Sequence, residues 1–89
     1  MRILLQTSRF KKDIRRQLKR GKDREKMVAV TRLLAAQGSL PPDYKPHPLQ
    51  GEWKGTDECH IEPDWLLVYA VTESSIILHR TGTHADLFE

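Results

Sequence analysis

The stretch Cys59–Tyr69, CHIEPDWLLVY, decides how this 89-residue chain folds. Its second half opens the continuous apolar run Trp65–Val71, WLLVYAV. Such a run is expected of a central strand buried on both faces. Its first half sets His60, Glu62, Pro63 and Asp64 at the mouth of that strand. Proline cannot donate to a ladder, so Pro63 ends the strand carrying His60. Glu62-Pro63-Asp64-Trp65 suits a turn with proline in its second position. His60 and Asp64 therefore flank one corner between neighbouring strands.

Outward from this corner, short strands are expected at Gly51–Gly55, Asp57–Ile61 and Ser75–Thr81. The links are too short for crossover helices, so these strands pair antiparallel. Upstream, the four prolines of GSLPPDYKPHPLQG (38–51) exclude a helix or a central strand and leave a long, stiff loop. Loops of that length in compact domains often carry function. Before it, Met1–Gln6 (MRILLQ) reads as a strand. Thr7 or Ser8 can cap a first helix whose apolar stripe is Phe10, Ile14 and Leu18. Gly21 can stop it, and Asp23 can cap a second helix with Met27, Val30, Leu33, Leu34 and Gln37, ending at Gly38. The chain closes with GTHADLFE. The architecture expected is α+β, β-α-α-β-β-β-β, in a single domain over residues 1–89. Its sheet is mainly antiparallel, with a two-helix hairpin on one face and the other face open to solvent or ligand.

Composition narrows the function classes. No apolar run approaches the roughly 20 residues that span a bilayer, and the N-terminus lacks the apolar core and cleavage site of a secretory signal. The single cysteine, Cys59, excludes an internal disulfide and suits a reducing, cytoplasmic setting. Net charge is split: residues 1–39 carry 12 basic and 3 acidic side chains, residues 40–89 carry 3 and 9. That asymmetry suggests a polyanionic partner for the first half, although a solvated helix surface would look similar.

Alternation sorts the strand side chains. Cys59 and Ile61 point one way, Glu58 and His60 the other. With Trp53 turned to the helices, Lys54 turns outward. Arg80 and His79 lie on opposite faces. A cluster of His60, Asp64, Lys54 and Arg80 results, with His47 from the proline-rich loop and His84 from the tail. Histidine can take and give a proton near neutral pH. A carboxylate can orient it, and Lys or Arg can stabilise charge building on a phosphate. No Ser or Cys nucleophile with a triad arrangement stands out, so the fitting chemistry is attack by a group on the substrate, such as the 2′-hydroxyl of RNA. Cys59 reads as a small core hydrophobe. Trp53 and Trp65 read as core more readily than as base-stacking platforms, although Trp65 beside Asp64 could lie at the rim. No close His/Cys pairing of a structural zinc site occurs, and no metal or other cofactor is expected.

The joint pattern YKPHPLQGEWKG, CHIEPDWLLVY and RTGTHADLF closely resembles the YafQ branch of the RelE-like toxins of bacterial toxin–antitoxin systems. The likeness is strong from Tyr44 to Phe88 and holds upstream as a pattern, a strand followed by a basic helical hairpin. It implies a ribosome-dependent mRNA endoribonuclease, neutralised by a cognate antitoxin protein. By motif position it implies active-site roles for His47, His60, Asp64, Trp65, His84 and Phe88, with Arg80 contacting phosphate and Trp65 or Phe88 stacking on a base. His84 is expected as general acid, with the base among His47, His60 and Asp64. Lys11, Lys12, Arg15, Arg16, Lys19 and Arg20 are expected to contact ribosomal RNA. Two non-catalytic readings compete: an RNA- or ribosome-binding module using the basic hairpin alone, and a protein-docking module. Both leave the histidine cluster unexplained.

Overall fold

The structure, a computed structural model, describes residues 1–88. Five strands form one sheet in the order β1-β5-β4-β3-β2. They are β1 (Ile3–Gln6), β2 (His47–Pro48), β3 (Asp57–Glu62), β4 (Trp65–Val71) and β5 (Ser75–Gly82). Only β1, paired with β5, runs parallel to its neighbour. The expected α+β, mainly antiparallel architecture is the one found.

Helix α1 (Ser8–Lys19) starts where Thr7 Oγ1 accepts the Phe10 amide at 3.0 Å. The same hydroxyl donates to the His79 carbonyl at 2.9 Å, stitching the helix start to β5. Helix α2 (Arg24–Gln37) starts where Asp23 Oδ1 accepts the Glu25 amide at 2.9 Å, and it ends at Gly38 with φ +69°. Phe10, Met27, Val30 and Leu34 pack against Cys59, Trp65, Leu67, Tyr69, Ile76 and Leu78. Each large apolar side chain buried in this way contributes about 1.5–3 kcal/mol. Gln37, expected on the apolar stripe, is exposed and donates to the Ser39 carbonyl instead.

Three local expectations are corrected. Gly51–Gly55 is not a strand. It holds a 3₁₀ turn, Gly51–Trp53, between glycines at φ +68° and +95°, conformations no strand contains. The Leu49 amide bonds to the Thr56 carbonyl at 2.9 Å and closes this segment as the connection from β2 to β3. The edge strand is instead the pair His47–Pro48, where the missing proline N–H is tolerated. The tail, given no element in the expected β-α-α-β-β-β-β order, forms a short helix, α3 (His84–Phe88).

The second sheet face is not fully open either. Register places Leu66 and Val68 there, opposite His60 and Glu58, yet both are buried. Trp53 meets His79 of β5 edge-on, ring centroids 6.2 Å apart, so the Leu49–Thr56 connection crosses from the β2 edge over β3 and β4. His79 is the extra residue of a β-bulge between the pairs Val68–Arg80 and Tyr69–Leu78. A bulge breaks strict alternation, so the assignment of His79 and Arg80 to opposite faces does not follow.

Candidate active site

Sheet register assembles the site. His47, Glu58, Val68 and Arg80 lie in one cross-strand row, and His60, Leu66 and Gly82 in the next. The two-residue turn Pro63-Asp64 and the start of α3 close the far end. The His60 ring stands 6.3 Å from His47 and 5.9 Å from His84, centroid to centroid. Three histidines distant in sequence thus line one wall.

Two of the three, His84 and His47, are held by a hydrogen-bond acceptor, and His60 stands within ion-pair distance of a carboxylate. His84 Nδ1 lies 2.7 Å from Asp64 Oδ1, and the His84 amide donates to the same oxygen at 2.9 Å. The amide bond, and after it the ring, holds the Asp64 carboxyl below its usual value, so it is ionised at neutral pH. A carboxylate can only accept, so Nδ1 carries the proton and Nε2 is left for a substrate. His47 Nδ1 is 3.0 Å from the Lys45 carbonyl, and by the same reasoning Nδ1 donates there. His47 Nε2 lies 3.3 Å from Glu58 Oε1, and His60 Nε2 lies 3.9 Å from it. The Glu58 side chain is only 7% exposed and faces both rings.

Arg80 is close by but engaged. Its Nε and Nη2 donate to the Asp13 carboxylate of α1 at 2.7 and 3.1 Å. Asp13 also accepts the Thr81 amide at 3.2 Å, on the part of β5 that β1 is too short to cover. The bidentate carboxylate raises the Arg80 pKa further. Phe88 is exposed and sits four residues after His84 on α3, on the same side of the helix.

Two assignments change. Trp65 is fully buried, its Nε1 donating to Thr81 Oγ1 at 2.9 Å and Lys22 Nζ lying 5.9 Å from its ring. It has no free face for a base, and it belongs to the core. Lys54 stands on the exposed connection after the 3₁₀ turn, so the strand alternation that turned it toward the cluster does not apply. Glu58 and Asp13 were not among the expected site residues. Glu58 had a signal, since it lies two residues before His60 on one strand face. Asp13 had none, because its role depends on a helix packing at a strand end. Burial pushes the Cys59 thiol up to about 12, which removes it as a nucleophile at neutral pH.

A family model described as "Bacterial toxin of type II toxin-antitoxin system, YafQ" matches residues 2–89. This chain belongs to the YafQ toxin family. It is 45% identical over 83 residues to the mRNA interferase toxin YafQ of Escherichia coli K12, covering 92% of this chain and 90% of that protein. The YafQ-family fold matches the crystal structure of the E. coli DinJ–YafQ complex with a TM-score of 0.91 and 42% identity over the full length of both chains. It also matches a metal-bound toxin from Helicobacter pylori with a TM-score of 0.90 and 39% identity, covering 99% of this chain and 100% of that one. Among the described residues of this chain, no group of three or more His, Cys, Asp or Glu side chains is placed to hold a metal ion. No described helix is long and apolar enough to cross a membrane.

Proposed function

We propose that this YafQ-family chain, acting as one toxin domain over residues 1–89, is an mRNA interferase that cleaves mRNA on the ribosome and is neutralised by a cognate antitoxin in the cytoplasm. The observation that carries this reading is the histidine wall, with the Asp64 carboxylate against His84 Nδ1 at 2.7 Å and Glu58 against His47 Nε2 at 3.3 Å. A general base and a general acid are what 2′-hydroxyl attack on a phosphodiester uses, and here each candidate has a carboxylate beside it.

His47 or His60 takes the 2′-hydroxyl proton, and Glu58 stabilises the resulting imidazolium. The 2′-oxygen attacks the adjacent phosphorus. His84, protonated on both nitrogens, gives its Nε2 proton to the departing 5′-oxygen while Asp64 holds the ring. Asp64 is thereby committed to His84 and drops out as the base. The products are a 2′,3′-cyclic phosphate and a 5′-hydroxyl. Arg80 lies two strand spacings from Glu58, about 10 Å, and offers its Nη1 edge to a phosphate oxygen. Lys54 can add charge from its loop. Phe88 offers the exposed ring for stacking on a base.

Helix α1 supplies the ribosome contact in this reading. Lys12, Arg15, Arg16 and Lys19 line a shallow basic groove on its outer face, with Lys11 exposed beside them. Arg16 and Arg20 share their charge with Asp86, at 3.7 and 2.6 Å. Phosphate contacts of this kind give affinity without sequence preference.

The test maps mRNA 5′ ends in cells after induction of wild type and of His84→Ala. In-frame cuts with wild type that vanish in the variant support the reading. An absence of cuts with both proteins at confirmed expression would favour a binding module. Cleavage ends bearing 5′-phosphate would rule out the reaction written above.

A further inference from the structure

Outside the histidine wall, one polar cluster has no part in the chemistry above. Gln17 of α1 is fully buried, an unusual place for an amide. Its Nε2 donates to Asp86 Oδ2 at 3.0 Å. That oxygen also accepts Arg20 Nη1 at 2.6 Å and the Thr83 amide at 3.0 Å, while Oδ1 accepts Arg20 Nη2 at 3.2 Å. The Asp86 side chain is only 9% exposed. One side chain of α1, the arginine at its C-terminal cap and one backbone amide thus converge on one carboxylate near the end of the chain.

Asp86 lies two residues after His84 on a five-residue helix. A helix of that length does not hold its own position, since isolated helices below about 12–15 residues are marginal. Its local anchors are few: the Asp86 amide donates to Thr83 Oγ1 at 3.1 Å, and the Leu87 amide to the Thr83 carbonyl at 3.1 Å. Gly82 permits the close approach, because a β-carbon there would sit 2.9 Å from both Cβ and Oδ2 of Asp86. The far end of the turn is tied at Asp64, through the His84 amide and ring together. A slight rotation of α3 would break both bonds at once.

We propose that Asp86, gripped by Gln17 of α1 and by Arg20 at the C-terminal cap of that helix, is a positioning residue that sets His84 against Asp64 and so aims the proton donor at the leaving oxygen. This rests on the reading of His84 as the general acid. Asp86 itself touches neither substrate nor His84. Its effect on rate comes through the placement of α3, and misplacement by about 1 Å can cost on the order of 100-fold.

The test measures single-turnover cleavage of mRNA on programmed ribosomes at saturating toxin, beside thermal melts. The variants are Asp86→Ala, Asp86→Asn, Arg20→Lys, His84→Ala and the double variant Asp86→Ala/His84→Ala. Asp86→Ala and Arg20→Lys should lower the saturated rate roughly 10- to 100-fold, a loss read at saturation and so separate from any change in ribosome affinity at Arg20. Arg20→Lys keeps the charge but loses the two-pronged grip, and its exposed position carries the test if Asp86→Ala fails to fold. Asp86→Asn, which keeps an acceptor oxygen, should recover part of the rate. In the His84→Ala background, Asp86→Ala should add nothing. Wild-type rates for Asp86→Ala and Arg20→Lys, beside an inactive His84→Ala, would overturn the inference and leave the reading of His84 intact. An undiminished Asp86→Ala loss without His84 would also overturn it. An active His84→Ala would instead remove the reading beneath it.

Discussion

Asp64 binds His84 twice through one oxygen, accepting its amide at 2.9 Å and facing its ring Nδ1 at 2.7 Å. The backbone bond fixes where the residue starts, and the ring bond fixes where Nε2 points. Replacing His84 with Ala should slow cleavage about 10²- to 10⁴-fold, the range of a lost proton-transfer group. Asp64→Asn keeps an acceptor but loses the charge, and should cost about 10-fold. Single-turnover rates check both, and an Asp64→Asn rate equal to wild type would mean that the charge does not support the acid.

Acid should loosen the tie between α1 and α3. Arg20 first, with the Thr83 amide and Gln17, holds the Asp86 carboxyl well below the usual carboxylate range. A depressed folded pKa contributes stability above the unfolded value of about 3.9, and that stability is lost as pH falls toward the folded value. Melting temperature followed from pH 6 downward should drop below about pH 4 more steeply in wild type than in Asp86→Asn. Parallel acid limbs would show that Asp86 is not the group responsible.

Gly82→Ala should act at the same point by crowding. The added carbon would meet the Asp86 Cβ and Oδ2 at 2.9 Å, so α3 must move. The expected loss is about 1–3 kcal/mol of stability, read from denaturant midpoints, together with slower cleavage. An unchanged midpoint would show that α3 gives way freely.

Trp65 should behave as core. Trp65→Leu removes the Nε1 bond to Thr81 and part of a fully buried ring, at a cost of about 2–4 kcal/mol. Cleavage per folded molecule should change by less than about threefold, because a lost stacking contact would cost about 1–3 kcal/mol per base. A larger fall in the rate of fully folded variant would return Trp65 to the substrate site.

The basic groove should govern affinity alone. Lys12→Glu, Arg15→Glu and Lys19→Glu should weaken ribosome binding, and each lost phosphate contact should lower the salt slope by about 1. The saturated cleavage rate should hold. Binding measured across a salt series checks this, and unchanged affinity in all three would move the ribosome contact elsewhere.

Several elements were legible in the sequence because their causes are local. The run Trp65–Val71 became β4 with the expected bounds, since a continuous apolar segment beside a proline turn has no other stable place. Thr7, Asp23 and Gly38 marked helix ends through caps that reach only a few residues. His60, Asp64, His47 and His84 stood out by residue type and by their places at strand and loop ends. Gly51–Gly55 misled because a short polar-apolar alternation resembles a strand, while its two glycines take left-handed angles that a strand cannot hold.

What only the tertiary structure decided is which groups meet. The His47–Glu58 and His84–Asp64 pairs depend on strand register and on a bulge, and neither can be read from spacing alone. The burial of Trp65 depends on Lys22 and the helices closing over it. The bonds from Gln17 and Arg20 to Asp86 join residues 69 and 66 positions apart. A local pattern reports what a segment tends to form. The partner of a side chain depends on how whole elements pack, and that placed Asp86 behind His84.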